Sequence, residues 1–234
     1  MQVKALLFDV FGTVVDWRSG VIRDVTAIAR DKGADIDAGR FADQWRAGYR
    51  PAMDLVRDGE LPWTKLDDLH RRTLERLVSD FGLTGLDETE LAWLNECWHR
   101  LDPWPDSVAG LQRLRQRYIV AALSNGNVAL LVDMAKRAGL PWDFIASAEL
   151  FRCYKPDPRT YLGAAGLLGL APAEVMLVAA HNDDLGVAAD LGLATAFVSR
   201  PAELGPSRLE NLAPARDYSC VAADFHELAG LLGA

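Results

Sequence analysis

The hydrophobic and polar positions of this chain follow two rhythms. From Arg18 to about Arg100, charged residues alternate with Leu, Val, Ala and Trp at spacings of three and four, as in Leu66-Asp67-Asp68-Leu69 through Leu74-Glu75-Arg76-Leu77. That is the period of amphipathic helices. Breaks at Gly33, Pro51, Gly59–Pro62 and Gly82–Gly85 divide the stretch into four or five helices, and no strand is predicted within it. Outside it, short continuous apolar runs take over. Leu6-Leu7-Phe8, Tyr118 to Ser124 and Val175 to Ala180 have the composition of parallel strands buried on both faces. Phe144–Ser147, Thr195–Val198 and Ser219–Ala222 read as weaker strands of the same kind.

Helices are predicted between these runs. Asp106 is placed to cap one that reaches about Gln116. Asn127 to Ala138 is a helix ended by Gly139. Asp157 is an N-cap, with Pro158 at the first helical position of a helix ending near Gly169. Two more run from about Asp184 to Leu191 and from Phe225 to Leu232. Strand and helix thus alternate over residues 1–15 and about 103–234, which predicts an α/β fold: a doubly wound, Rossmann-like parallel sheet. Residues 16–102 form an all-helical block inserted after the first strand. An insertion there emerges beside the strand's end and can cover it as a cap.

Composition narrows the class. The 234 residues are 50% hydrophobic, enough for a full core and a sizeable insertion. A net charge of -8, a pI near 5.0 and the lack of long basic runs argue against nucleic-acid binding. A negative chain that binds a small anion needs locally placed Arg and Lys. The cysteines, Cys97, Cys153 and Cys220, are few and far apart, which fits a reducing compartment rather than a disulfide framework or a zinc site. With no signal peptide and no apolar stretch of membrane-spanning length, a cytoplasmic protein without a membrane partner is expected.

Candidate chemistry gathers at predicted strand ends. Asp9-Val10-Phe11-Gly12-Thr13 closes the first run, and Ser124-Asn125-Gly126, Lys155-Pro156-Asp157 and His181-Asn182-Asp183-Asp184 follow strands or open helices. In a parallel sheet these ends share one edge, where open α/β sheets keep their active sites. A buried, oriented carboxylate such as Asp9 can act as a nucleophile. A second acid two residues later would be placed to protonate a leaving oxygen or to help hold Mg²⁺. That position is Phe11, so a leaving group that needs no proton is expected.

The order and spacing of these clusters resemble the haloacid dehalogenase superfamily, and their form resembles its L-2-haloacid dehalogenase (type II) branch. The resemblance covers the whole sheet region, and the helical block sits where that family places a cap. It implies that Asp9 attacks the halogen-bearing carbon and forms an ester. Thr13 and Ser124 would bind the substrate carboxylate or orient Asp9, and Lys155 would offset the charge on Asp9 and the substrate. Asn125 and a cap arginine would cradle the halide. Arg46 matches that arginine best, with Arg40 and Arg50 as alternatives. Tyr161 would pack or hydrogen-bond near Lys155, and Asp184 would hold or activate the hydrolytic water. Phe11 and Trp63 are further candidates for the substrate pocket.

The implied reaction is hydrolysis of small (S)-2-haloacids to (R)-2-hydroxy acids with inversion, haloacetates being further candidate substrates. It needs no metal and no cofactor, and dimers are common in the family. Two positions depart from the family pattern: Ala179 and His181 stand where Ser and Asn are expected. His181 is therefore expected to bond Asp184 or the water and to make hydrolysis sensitive to pH near its ordinary pKa of roughly 6.5. Two rival readings stand beside this one. A Mg²⁺-dependent phosphatase or phosphonate hydrolase on the same scaffold would use Asp183 and Asp184. A non-catalytic binding protein would keep only the fold.

Overall fold

The computed structural model describes residues 2–205 and 213–234. In chain order its strands are β1 (Ala5–Phe8), β2 (Val15–Asp16), β3 (Asp102–Pro103), β4 (Ile119–Ser124), β5 (Phe144–Ser147), β6 (Val175–Ala179), β7 (Ala194–Val198) and β8 (Cys220–Ala222). Six of them make one parallel sheet in the order β5-β4-β1-β6-β7-β8. Along β1, Leu6 and Phe8 join one buried cluster while Ala5 and Leu7 join another on the opposite face. Both faces are covered, which is why the strands read as continuous apolar runs.

Winding places the site. From β1 the chain builds outward through β4 and β5 on one side and through β6, β7 and β8 on the other. The carboxyl end of β1, flanked by β4 and β6, is where the winding reverses and a crevice opens. Asp9 is the next residue, and its backbone N–H donates to the Val178 carbonyl at 3.0 Å.

Between β2 and β3, which pair antiparallel, lie α1 (Trp17–Asp31), α2 (Ala38–Ala47), α3 (Tyr49–Arg57), α4 (Leu66–Asp80), α5 (Glu88–Asn95) and a 3₁₀ turn (Glu96–Arg100). Trp17, Trp45 and Trp98 are fully buried among them. The Trp98 ring stacks on Trp17 at 6.2 Å and meets Trp45 edge-on at 5.6 Å. Phe11, from the sheet region, reaches up to the same ring at 5.8 Å. Pro51 does not break the helical run as expected. It lies in the first turn of α3, where an N–H would have no partner within the helix, so proline is tolerated. The break is at Gly48, where a Cβ would stand 2.7 Å from Thr73 of α4.

The remaining helices are α6 (Ser107–Leu114), α7 (Val128–Ala138), α8 (Ala148–Phe151), α9 (Pro158–Leu167), α10 (Asn182–Asp190) and α11 (Phe225–Leu231). Gly139 ends α7 at φ 70°, and Asp157 caps α9 through the Arg159 N–H. Asp106 precedes α6, but its carboxylate does not cap it. It accepts from both terminal nitrogens of Arg200, at 2.7 and 2.8 Å, and from the Phe225 N–H. Helix α10 begins two residues earlier than expected, so His181 is its N-cap and Asp184 lies in its first turn. Among the described residues no helix is long and apolar enough to cross a membrane.

Candidate active site

Lys155 is the bridge of the site. Its Nζ donates to Asp9 Oδ1 at 2.8 Å and to Asp184 Oδ2 at 2.6 Å, and all three side chains are at most 10% exposed. The other oxygen of each carboxylate is held as well. Thr13 donates its hydroxyl to Asp9 Oδ2 at 2.8 Å and accepts from the Ala180 N–H at 2.9 Å. Tyr161 donates its phenol to Asp184 Oδ1 at 2.5 Å. Residues from β1, α9 and α10 are thereby fixed to one another at the sheet edge.

The two carboxylates are not equivalent. Burial alone would raise the pKa of each. For Asp9 that effect is outweighed by the Lys155 and His181 cations, which hold it well below the usual carboxylate range. For Asp184, burial wins over the attraction of Lys155, and the charge on Asp9 adds to it, so its pKa is raised. Burial also works against the charge on Lys155, but Asp184 and Asp9 more than offset this and raise its pKa. Titratable neighbours pushed apart in this way mark acid–base roles. Asp9 stays ionised, and Asp184 holds a proton more readily than Asp9 does.

His181 differs from its sequence-based expectation. Its Nδ1 lies 3.0 Å from Asp9 Oδ2, and its Nε2 lies 3.0 Å from Glu203 Oε1, so its partners are these two carboxylates and not Asp184. Burial would lower its pKa, but the carboxylates of Glu203 and Asp9 push it up to about 10. No switch near 6.5 follows, because the ring is already charged at neutral pH. Geometry leads to the same result. Both nitrogens face ionised, acceptor-only groups, and a neutral imidazole can donate from only one.

Glu203 was not foreseen from sequence. It follows β7, is 5% exposed, and also accepts from Trp17 Nε1 at 3.1 Å. The available signal was positional: an acid just past a predicted strand, on the same sheet edge as Asp9.

A cavity of about 790 Å³ opens above these groups. Asp9, Phe11, Arg46, Asn125, Lys155, Tyr161, His181, Asp184 and Glu203 all line it. Asn125 Oδ1 is taken by the Lys155 N–H at 2.7 Å. Of the three candidate arginines, Arg40 lies over Phe81, Arg50 lines the mouth and pairs with Asp183, and Arg46 lines the cavity with Tyr49 and Trp17 against its guanidinium. Three expected residues sit behind the lining: Thr13, which reaches the site through Asp9 Oδ2, Ser124 and Trp63. Ser124 accepts from the Gly126 N–H at 3.1 Å and so shapes the loop that carries Asn125, and Trp63 packs on the ring of Tyr154 at 4.8 Å. Asp183, the second acid of the phosphatase reading, is exposed and engaged by Arg50. Among the described residues no group of three or more His, Cys, Asp and Glu side chains is disposed to hold a metal ion.

An ionised aspartate, bridged by lysine to a second acid, thus stands at the switch point where doubly wound sheets keep their ligands. The model of the haloacid dehalogenase-like hydrolases matches residues 3–192, and the chain belongs to that family. Its similarity extends to one branch. It is 51% identical to an L-2-haloacid dehalogenase of known crystal structure, with a TM-score of 0.95 and 99% of each chain covered. It is 49% identical to a defluorinating L-2-haloacid dehalogenase, with a TM-score of 0.96 and 99% and 96% of the two chains covered. It is 32% identical to (S)-2-haloacid dehalogenase 4A of Burkholderia cepacia, over 85% of this chain and 84% of that one.

Proposed function

We propose that this protein hydrolyses small (S)-2-haloacids to (R)-2-hydroxy acids, without a metal, through a covalent ester on Asp9, and that haloacetates are further substrates. The observation that carries the reading is the split pair: Asp9 held ionised and Asp184 with its pKa raised, both on Lys155. The similarity to L-2-haloacid dehalogenases supports the choice of substrate. Phe11 supports it too, because an apolar ring lines the cavity where an acid would be needed to protonate a leaving alkoxide.

Asp9 Oδ2 already accepts from Thr13 and His181, whereas Oδ1 accepts only from Lys155 among the described residues. Oδ1 therefore keeps a lone pair for attack. Its bond to the substrate carbon forms as the carbon–halogen bond breaks, the halide leaves with the bonding pair, and the carbon inverts. Arg46 and Asn125 receive the halide. A water that gives its proton to Asp184 then adds to the Asp9 carbonyl carbon. The bond from that carbon to Oδ1 breaks, and Oδ1 leaves with the product, taking a proton from Lys155. Asp184 returns its proton to Lys155 across their 2.6 Å contact. The water's second proton, left on the new Asp9 carboxyl group, is released to solvent as Asp9 ionises again.

The helices between β2 and β3 form the cap over this chemistry, with residues 16–102 as the cap and 1–15 and 103–234 as the core. The antiparallel pairing of β2 with β3, where the chain leaves and returns, supports that division. Halide release from chloro-, bromo- and fluoroacetate and from both enantiomers of 2-chloropropionate, with and without chelator, tests the reading. Chelator-resistant release from the (S) enantiomer is expected. A single turnover in heavy-oxygen water should label Asp9 and not the product. Activity confined to phosphate esters with Mg²⁺ would overturn it.

A further inference from the structure

We propose that Glu203 is a positioning residue: it holds His181 as a doubly donating ring whose Nδ1, with the Thr13 hydroxyl, forms an oxyanion hole on Asp9 Oδ2 for the ester-hydrolysis half of the reaction. The inference rests on the ester reading above and deepens it. Once Oδ1 is alkylated, Oδ2 is the carbonyl oxygen of the ester. Attack of water on the carbonyl carbon moves the carbonyl electron pair onto Oδ2, and a full negative charge develops there. Two donors already point at that atom, Thr13 at 2.8 Å and His181 at 3.0 Å. Collapse of this intermediate returns the pair to the carbonyl and releases Oδ1 with the hydroxy acid. Preorganised donors at a developing oxyanion act without reorganisation.

Glu203 is built in for this task. His181 Nε2 lies between its two oxygens, at 3.0 and 3.1 Å, and Trp17 Nε1 fixes Oε1 from the other side. Gly12 leaves it room, since a Cβ there would stand 2.1 Å from Glu203 Oε1. The charged groups facing the ring are Asp9 and Glu203 in direct contact, Asp183 beside it in the chain, Arg46 near Glu203 and Lys155 across Asp9. The two direct contacts are both carboxylates, so the ring is clamped in its charged form. In the first half-reaction Oδ2 loses charge as the ester forms. In the second half-reaction it gains charge, so the clamp favours hydrolysis over alkylation.

Rapid-quench kinetics with (S)-2-chloropropionate separate the halves, because halide reports alkylation and hydroxy acid reports hydrolysis. In Glu203→Gln, a halide burst equal to the number of sites is expected, with hydroxy acid formation slowed about a hundredfold. Alkylated Asp9 should accumulate in the intact mass. The hydrolysis rate should fall as His181, whose pKa is pushed up to about 10, loses its proton, and this fall should come at lower pH in the variant. His181→Asn leaves the buried Glu203 charge without its cation, so adding Glu203→Gln to it should recover stability while hydroxy acid formation stays slow, because the charged donor to Asp9 Oδ2 is gone. Halide and hydroxy acid formation that stay in step in Glu203→Gln overturn the proposal. Should that variant fail to fold, nitrogen NMR of the native enzyme at about pH 8 decides: both His181 nitrogens protonated is the expected result, and one bare nitrogen overturns the proposal. If the native enzyme releases no halide at all, it is the dehalogenase reading that falls.

Discussion

The guanidinium of Arg46 lies 4.3 Å over the ring of Tyr49. Trp17 is on its other flank at 5.5 Å, and among the described residues its buried Nη1 has no hydrogen-bond partner. A cation held by aromatic faces keeps its charge and one fork of donors for an arriving anion. A buried unpaired donor costs about 1–3 kcal/mol, and an anion at that nitrogen removes the cost. Arg46→Lys, which loses the planar fork, should lower kcat/KM about a hundredfold or more. The loss should be steepest for fluoroacetate, because fluoride concentrates its charge on the smallest ion. Equal losses across fluoro-, chloro- and bromoacetate would place Arg46 at the substrate carboxylate instead.

Replacing Lys155 by Met tests the bridge. The substitution leaves two buried carboxylates facing each other without their shared cation, a change that costs roughly 3–5 kcal/mol. The sign of its pH dependence follows from Asp9, whose folded pKa is depressed. Its stabilisation is present above the ordinary carboxylate range and is lost as pH falls. Without Lys155, one carboxylate can instead hold a proton at low pH. The destabilisation measured by urea unfolding should therefore be larger at about pH 8 than at about pH 5. Halide release should vanish at both. A penalty independent of pH would show that Lys155 contributes packing rather than charge.

Two histidines titrate in opposite senses and should bound the stability curve. His70 is buried against Trp98, with ring centroids 4.3 Å apart, and its nitrogens have no partner among the described residues. Burial lowers its pKa from 6.5 to about 3. Below 6.5 the unfolded chain takes up a proton that folded His70 refuses, so stability falls as pH drops toward 3. His181 keeps its proton in the folded state up to about 10 but releases it near 6.5 when unfolded. Its contribution is complete below 6.5 and is lost as pH rises through about 10. His70→Phe should flatten the acid limb, by up to about 1.4 kcal/mol per pH unit, and leave the alkaline limb in place. Thermal unfolding across the pH range reads both limbs.

What could be read in the sequence follows from where the physics is local. The parallel strands are covered on both faces, so Leu6-Leu7-Phe8 and Val120 to Leu123 announce themselves as apolar runs. Asp9, Lys155 and Asp184 stand at the ends of such runs or open helices, and the sheet edge brings them together. Side chains turned by tertiary contacts were harder. Asp106 precedes a helix as a cap would, yet Arg200, 94 positions on, takes its carboxylate. His181 is expected from sequence to bond Asp184 or the water, and the structure places it between Asp9 and Glu203. Glu203 itself lies 22 positions beyond His181 in a loop after β7, with no local pattern to mark it.

Gly12 joins the two parts of the site that the sequence kept apart, and it can be tested alone. Its φ of +87° is a left-handed conformation that a side chain strains, and a Cβ there would run into Glu203 at 2.1 Å. Gly12→Ala should lower stability by about 1 kcal/mol or more from the backbone. It should also displace the Glu203 carboxylate from His181 Nε2, although no substituted atom lies on Asp9, Lys155 or Asp184. The kinetic result should therefore be selective: a preserved halide burst and slowed appearance of hydroxy acid, the same pattern expected for Glu203→Gln. Combining the two substitutions should add little to the slower step, since each removes the same contact. If Gly12→Ala slows halide release and product release equally, Gly12 acts through the Asp9 turn and not through Glu203.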